Sequence, residues 1–240
     1  VADGAITARL RAIKSETEVE KIEMACAIAG RAFARVPEIA TEQRPLSSVF
    51  RDFQRLLLEE GADWVPYLAG GAGPNGYGDV ISPATDAPLQ RGDILMLDTG
   101  AVYDGYFCDF DRNFAITNAT TTAMESHQCL IDAVDAAAER AQPGTTAAEL
   151  FHVMDTIVTG GVGGPDTGRL GHGLGMQLTE GLSLIPQDNT ALVPGMVITL
   201  EPGIETVGGR IMVHEENIVI TETGNRFLSP RADRDLTVLQ

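Results

Sequence analysis

The sequence predicts an α+β fold made of two related halves, with helices covering one face of a mainly antiparallel sheet. Three observations predict it. PLQRGDILMLDTG at 88–100 and ALVPGMVITLEPG at 191–203 are the same phrase, superposing Leu89 on Leu192, Gly92 on Gly195, Leu97 on Leu200, Gly100 on Gly203 and the acid Asp98 on Glu201. Each copy is preceded by two segments of helical spacing. In each half, one of those helical segments opens on a capping box, Ser15 with Glu18 and Thr146 with Glu149. The duplicated halves run from about 13–117 and 118–225, within one catalytic domain over 1–240.

After the first capping box, Val19, Ile22, Cys26, Ala29, Phe33 and Val36 recur at helical spacing. A second helix is expected from about residue 47, carrying Val49, Phe53, Leu56 and Leu57 and stopping at Gly61. The Gly/Pro-rich stretch GGAGPNGYGDVISPATD reads as a loop; Pro74 and the lack of a following helix argue against a phosphate-binding turn. Strands are expected at 93–103 and 106–116, joined by the Asp104-Gly105 turn signal. That turn sets 98 opposite 111 and 100 opposite 109. Asp98 and Asp109 then share a face as diagonal neighbours, ~7–8 Å apart. Asp111 falls on the same face, which makes it a polar group at the rim or the mark of a bulge.

The second half repeats the order. A helix over about 121–142 ends at Pro143-Gly144, the Thr146 capping box opens another to about 159, and a Gly-rich loop leads to strands. A three-residue loop at Val207-Gly208-Gly209 sets Glu201 opposite Glu215.

A formal net charge of −17 repels nucleic acid and anionic membrane surfaces, so neither is an expected partner. No apolar run approaches the ~20 residues that span a bilayer, and VADGAITARL lacks the regions of a signal peptide. Cys26, Cys108 and Cys129 are widely spaced with no CxxC pattern, which suits free thiols in a reducing, cytoplasmic compartment. A homodimer is compatible with these features.

Carboxylates on strands are most often solvated surface groups. Here Asp98 and Glu201 both close apolar runs, and an acid at the buried end of a strand must be paired or bound to a cation. Four acids therefore converge from two hairpins, and one imidazole would complete a site for divalent metals. His127 and His152 lie in helical patterns, and alternation turns His214 away from its neighbour Glu215. His172 stands between Gly171 and Gly173, where backbone can approach a ligand closely.

These residues resemble the metallopeptidase superfamily of methionine aminopeptidase, aminopeptidase P, prolidase and creatinase. LDTGAVYDGYFCDFDR matches its paired aspartates with Asp98 and Asp109, GHGLG its histidine with His172, PGMVITLEPG its first glutamate with Glu201, and MVHEENIVIT its last with Glu215. The resemblance implies the pita-bread fold and two divalent ions, Mn, Fe or Co with Zn possible. It implies Asp109 and Glu215 bridging them, Asp98 on one ion, and His172 and Glu201 on the other. Glu201 is then the general base or proton shuttle, and a small peptide or amide the substrate.

The departures are equally specific. No histidine precedes His127, whereas relatives carry one before the first aspartate. Thr179-Glu180 stands where relatives have His-Glu, and Val213 where an arginine is common, with Arg210 further back. Thr179, Glu180, Tyr77, His214 and Arg210 are the remaining candidates for substrate contacts. Prolidase-like relatives usually carry an extra N-terminal domain, which is not seen in this chain. The reading is an Xaa-Pro peptidase; the alternatives are a small-molecule C–N hydrolase like the ectoine-hydrolase relatives, or a binding module without catalysis.

Overall fold

The computed structural model describes residues 4–81, 83–162 and 168–240. Helix α1 (Gly4–Ala12) is followed by α2 (Glu16–Ala34), which begins where the sequence predicts: the Ser15 hydroxyl accepts from the Glu18 N–H and the Glu18 carboxylate accepts from the Ser15 N–H. The predicted apolar stripe, Val19, Ile22, Cys26, Ala29 and Phe33, is buried. Phe33 packs against Phe53 of α3 (Leu46–Glu59) and Phe110, with ring centroids 4.8 and 5.2 Å apart, which anchors both helices on the first sheet.

That sheet has the order β1 (Trp64–Pro74), β2 (Asp93–Tyr103), β4 (Phe110–Ile116), β12 (Thr237–Leu239), with the short β3 (Tyr106–Phe107) also on β2. Two features depart from the sequence-based expectation. Part of the Gly-rich stretch read as a loop is strand β1, antiparallel to β2 with Ala69 opposite Asp98 and Gly70 opposite Leu97. Gly70 has φ +151°, and a Cβ there would run into the Met96 carbonyl oxygen. Glycine is thus what lets the strands approach, and the composition that suggests a loop serves a close contact instead. The second departure is β12, which pairs in parallel with β4 after a long return; three residues, Thr-Val-Leu, are too short for a period-two signal.

In the second half, α4 (Thr121–Arg140) and α5 (Ala147–Thr159, with the Thr146–Glu149 capping box formed) precede a sheet of order β11 (Asn225–Phe227), β10 (Glu216–Ile220), β7 (Val197–Leu200), β5 (His172–Gly173), β6 (Glu180–Ser183). The hairpin β8 (Gly203–Thr206)–β9 (Arg210–Val213) lies apart as its own ladder.

The two hairpins have the predicted registers. Tyr103 pairs Tyr106 around the two-residue turn, and the ladder continues to Asp98 opposite Asp111. Thr206 pairs Arg210 around the three-residue loop, and the β7–β10 ladder resumes in phase with Leu200 opposite Glu216, which leaves Glu201 facing Glu215. Because the second loop is one residue longer, the repeat continues past it at an offset longer by one: DRNFAIT at 111–117 superposes on EENIVIT at 215–221. Asp111 is the counterpart of Glu215, Asn113 of Asn217, and Asp109 of Val213.

Those asparagines clasp the halves together reciprocally. Asn217 Oδ1 accepts the Asp109 N–H at 3.0 Å and its Nδ2 donates to the Asp109 carbonyl. Asn113 Nδ2 donates to the Val213 carbonyl at 2.6 Å, and the Val213 N–H donates to the Tyr77 hydroxyl, which lies 3.3 Å from Asn113 Oδ1. Asn113, Asn217 and Tyr77 are all buried. Replacing Asn217 by Ala strands the N–H and carbonyl of Asp109 in the interior, and each unsatisfied buried group costs about 1–3 kcal/mol. Thermal or denaturant unfolding of Asn217→Ala should therefore show a loss of at least about 2 kcal/mol, whereas an unchanged midpoint would contradict the clasp.

Candidate metal centre

The five predicted ligands are brought to one place between the two sheets. Asp98 lies within β2; Asp109 lies in the break between β3 and β4, Glu201 in the break between β7 and β8, and Glu215 between β9 and β10. Three of the four acids thus stand where a hairpin leaves one ladder for another, so their side chains turn into the gap between the halves. His172 opens β5. Its place depends on Gly171 (φ +146°), where a Cβ would strike the Thr199 carbonyl and the Leu184 side chain.

Asp109, His172 and Glu215 each present an atom within 4.8 Å of the others. His172 Nε2 lies 3.3 Å from Asp109 Oδ2 and 4.0 Å from Glu201 Oε1. Its Nδ1 is 3.0 Å from the Gly173 carbonyl, an acceptor only, so Nδ1 carries the proton and Nε2 turns a lone pair toward the acids. A lone pair facing a carboxylate oxygen at 3.3 Å is repulsive unless a proton or a cation lies between them.

The carboxylates show the same demand. Asp98 Oδ1, Asp109 Oδ1 and Glu215 Oε1 are buried without a hydrogen-bond partner. Asp98 has one neutral donor, the Tyr67 hydroxyl at 2.9 Å from Oδ2. Burial pushes Asp98, Asp109 and Glu215 well above the usual carboxylate range, and repulsion adds to it, from Asp109 on Asp98 and Glu215, and from Glu201 on Asp109. Glu201 is raised by burial, with His172 and Arg169 opposing. His172 is lowered by burial, which favours the neutral imidazole that ligates metals. Without cations such a cluster is relieved only by taking up protons; divalent ions relieve it with the ligands charged. The oxygen-rich set with one imidazole fits hard or borderline divalent metals.

Asp111 corrects the expectation drawn from the first hairpin. The register has no bulge there, and the side chain is 1% exposed rather than at a rim. Its Oδ1 accepts the Glu215 N–H at 3.0 Å and lies 3.3 Å from His214 Nδ1, while His214 Nε2 is 3.3 Å from Glu216 Oε1. Burial opposes charge on His214, but the two carboxylates overcome it and raise its pKa. Glu216, despite its burial, is held down to about 2 by Arg112 and His214. This buried acid–imidazole–acid row fixes the backbone that carries Glu215.

The other candidates lie in different settings. Tyr77 and His214 are fully buried, the first within the asparagine clasp and the second between Asp111 and Glu216. The Glu180 carboxylate is taken up by Lys14 at 2.9 Å and by Arg11. Arg210 begins β9, beside Gly73 and Gly78. Thr179 is exposed, and its hydroxyl accepts from Arg169 Nη2 at 3.3 Å. Two residues at the centre escape the sequence reading. Tyr67 sits in the stretch whose strand character the glycines hide. Arg169 donates from Nε to Glu201 Oε1 at 3.1 Å, and its only sequence signal is proximity to GHGLG.

Residues 20–222 match metallopeptidase family M24. The chain is 34% identical over 237 residues to an Xaa-Pro dipeptidase of Pyrococcus horikoshii, covering 95% of this chain and 65% of that protein. It is 33% identical over 218 residues to a probable dipeptidase PepE of Mycobacterium tuberculosis, covering 90% and 58%. Dipeptidase PepE from Mycobacterium ulcerans superposes with a TM-score of 0.92 at 29% identity, covering all of this chain and 64% of that one. Prolidase from Pyrococcus furiosus superposes at 0.88 with 30% identity, covering 96% and 69%. The chain thus spans about three fifths of the length of the curated relatives. Its fold is the pita-bread fold, and the chain belongs to metallopeptidase family M24.

Proposed function

We propose that the chain is the catalytic domain of a dinuclear metallopeptidase that hydrolyses the amide bond of Xaa-Pro dipeptides, its two halves being 13–117 and 118–225. The observation that carries this reading is the set of unpartnered, buried carboxylate oxygens on Asp98, Asp109 and Glu215 around a neutral His172. Relatives named Xaa-Pro dipeptidase, prolidase and dipeptidase favour a peptide over the small-molecule alternative. Three free cysteines support a reducing, cytoplasmic setting.

In this reading, Asp98, Asp109, His172, Glu201 and Glu215 would hold two divalent ions of Mn, Fe or Co, with Zn as an alternative: Asp109 and Glu215 would be shared between the ions, Asp98 would serve one, and His172 and Glu201 the other. Bound there, such ions supply Lewis acidity and a lowered pKa for the water nucleophile. Tyr67 keeps one oxygen of Asp98 turned aside through its hydroxyl. Glu201 is less enclosed than the other three acids and is in contact with Arg169, so it is the carboxylate best placed to take a proton from water and pass it to the leaving nitrogen.

Metal analysis of the purified chain should give close to two divalent ions. Asp109→Ala and Glu215→Ala should each lose both, while Asp98→Ala retains part; full metal content in Glu215→Ala would contradict the bridging assignment. Glu201→Gln keeps the side chain's shape but cannot accept a proton. Its turnover of an Xaa-Pro dipeptide should fall by ~10²–10⁴ with a much smaller change in KM. Near-normal turnover would move the base to another residue, and failure of the metal-loaded wild type on every dipeptide of an Xaa-Pro panel would overturn the substrate class.

A further inference from the structure

Lys14 and Glu180 form an ion pair that crosses between the halves, with Nζ 2.9 Å from Oε1 and side chains only 3% and 8% exposed; Arg11 takes the other carboxylate oxygen. Lys14 stands between α1 and α2, where its N–H donates to the Gly195 carbonyl at 2.8 Å, and Glu180 opens β6. The glycines after His172 are fitted to this pair. Gly173 lies opposite Glu180 in the β5–β6 ladder, and a Cβ there would run into the Glu180 carbonyl oxygen. A Cβ at Gly175 would run into the Glu180 carboxylate and press on Lys14 Cε. Neither glycine has a left-handed φ, so both are glycines for want of space. Glu180 thus abuts the His172 loop twice, with its backbone at 173 and its carboxylate at 175.

We propose that Lys14 and Glu180 are positioning residues for the metal centre, their ion pair setting the His172 imidazole toward its ion through Gly173 and Gly175. The proposal rests on the metallopeptidase reading above and adds to it two residues outside the ligand set. A neutral imidazole ligates along one lone pair, so the orientation of its ring governs its worth as a ligand. Here the ring is oriented by the bond from Nδ1–H to the Gly173 carbonyl at 3.0 Å. That carbonyl belongs to a two-residue strand flanked by glycines, a backbone with little stiffness of its own. Its place is therefore set by its neighbours: the Thr199 carbonyl and Leu184 against Gly171, Glu180 against Gly173 and Gly175, and the Phe107 N–H on the Gly175 carbonyl at 2.9 Å. A buried ion pair adds little net stability, but it fixes geometry, because displacing either partner leaves a charge uncompensated in the interior. Lys14, tied to Gly195 by its backbone and to Glu180 by its side chain, thereby carries the first half's position to the imidazole of the second.

The test is calorimetric titration of Mn(II) into the metal-free chain, in the wild type, Lys14→Met, Lys14→Arg and the double variant Lys14→Met/Glu180→Gln. The double variant removes both charges together, so neither member of the pair is left buried alone. The wild type should take up two ions. In Lys14→Met and in the double variant, one of the two binding steps should weaken about 10-fold, the scale for residues that orient a metal-ligating histidine, with the other step unchanged. Lys14→Arg should recover part of the loss. Phe53→Leu, in the packing of α2 on α3, controls for stability alone: it should lower the unfolding midpoint and leave both steps as they are. An equal weakening in Phe53→Leu would reduce the effect to general destabilisation and overturn the inference. Nuclear magnetic resonance of the metal-free chain gives a readout without metal: the His172 Nδ1–H signal, identified by its loss in His172→Gln, should exchange with water faster in the double variant than in the wild type. Wild-type affinity at both steps in the double variant, or an unchanged exchange rate, would overturn the inference and leave the metallopeptidase reading standing. A wild type that binds no divalent ion would overturn that reading and the inference with it.

Discussion

The reciprocal asparagine clasp is the constraint on which the site depends. Asn217 grips both backbone polar groups of residue 109, and Asn113, with the Tyr77 hydroxyl, grips those of residue 213, the counterpart of 109 in the other half. Each side chain crosses from one hairpin to the other, and the interior leaves these groups no water as an alternative partner. Two sheets that share no edge strand are thereby held at a fixed separation. The acids at the ladder breaks have nowhere to point except into the gap between them.

That gap is where symmetry is broken into chemistry. Asp98 with Glu201 and Asp111 with Glu215 are duplicated pairs, but Asp109 has Val213 as its counterpart, and Asp111 has been drawn off by the Glu215 N–H and His214. Duplication supplies a nest of acids; the departures from it select which of them converge on His172. Like charges at this depth are costly, as the raised pKa values of Asp98, Asp109 and Glu215 show. A scaffold that only needed stability would replace them with apolar groups, so their retention around one imidazole points to cation binding.

Much of this is legible in the sequence because it follows from local rules. Both capping boxes form as written, and both hairpin registers follow from loop length, which is why Asp98, Asp109, Glu201 and Glu215 can be placed on common faces before any coordinates. The parts that are not legible are those set by packing between segments far apart in the chain. Gly70 reads as a loop former until Met96 is seen against it, and with β1 goes Tyr67. Asp111 follows strand alternation correctly, yet nothing local tells that a buried His214 and the Glu215 N–H await it. Arg169 carries no motif, and its importance appears only when Glu201 and Thr179 are found on either side of it.

The central claim is that the two halves close around a pair of metal ions bridged by protein carboxylates. Electron paramagnetic resonance of the chain loaded with two equivalents of Mn(II) tests it most directly. Bridged ions ~3.5–4 Å apart are expected to be magnetically coupled and to give the broadened, multiline spectrum of a spin-exchanged pair. A simple six-line spectrum that grows in proportion through both equivalents would mean separate, unbridged ions, and would contradict the account.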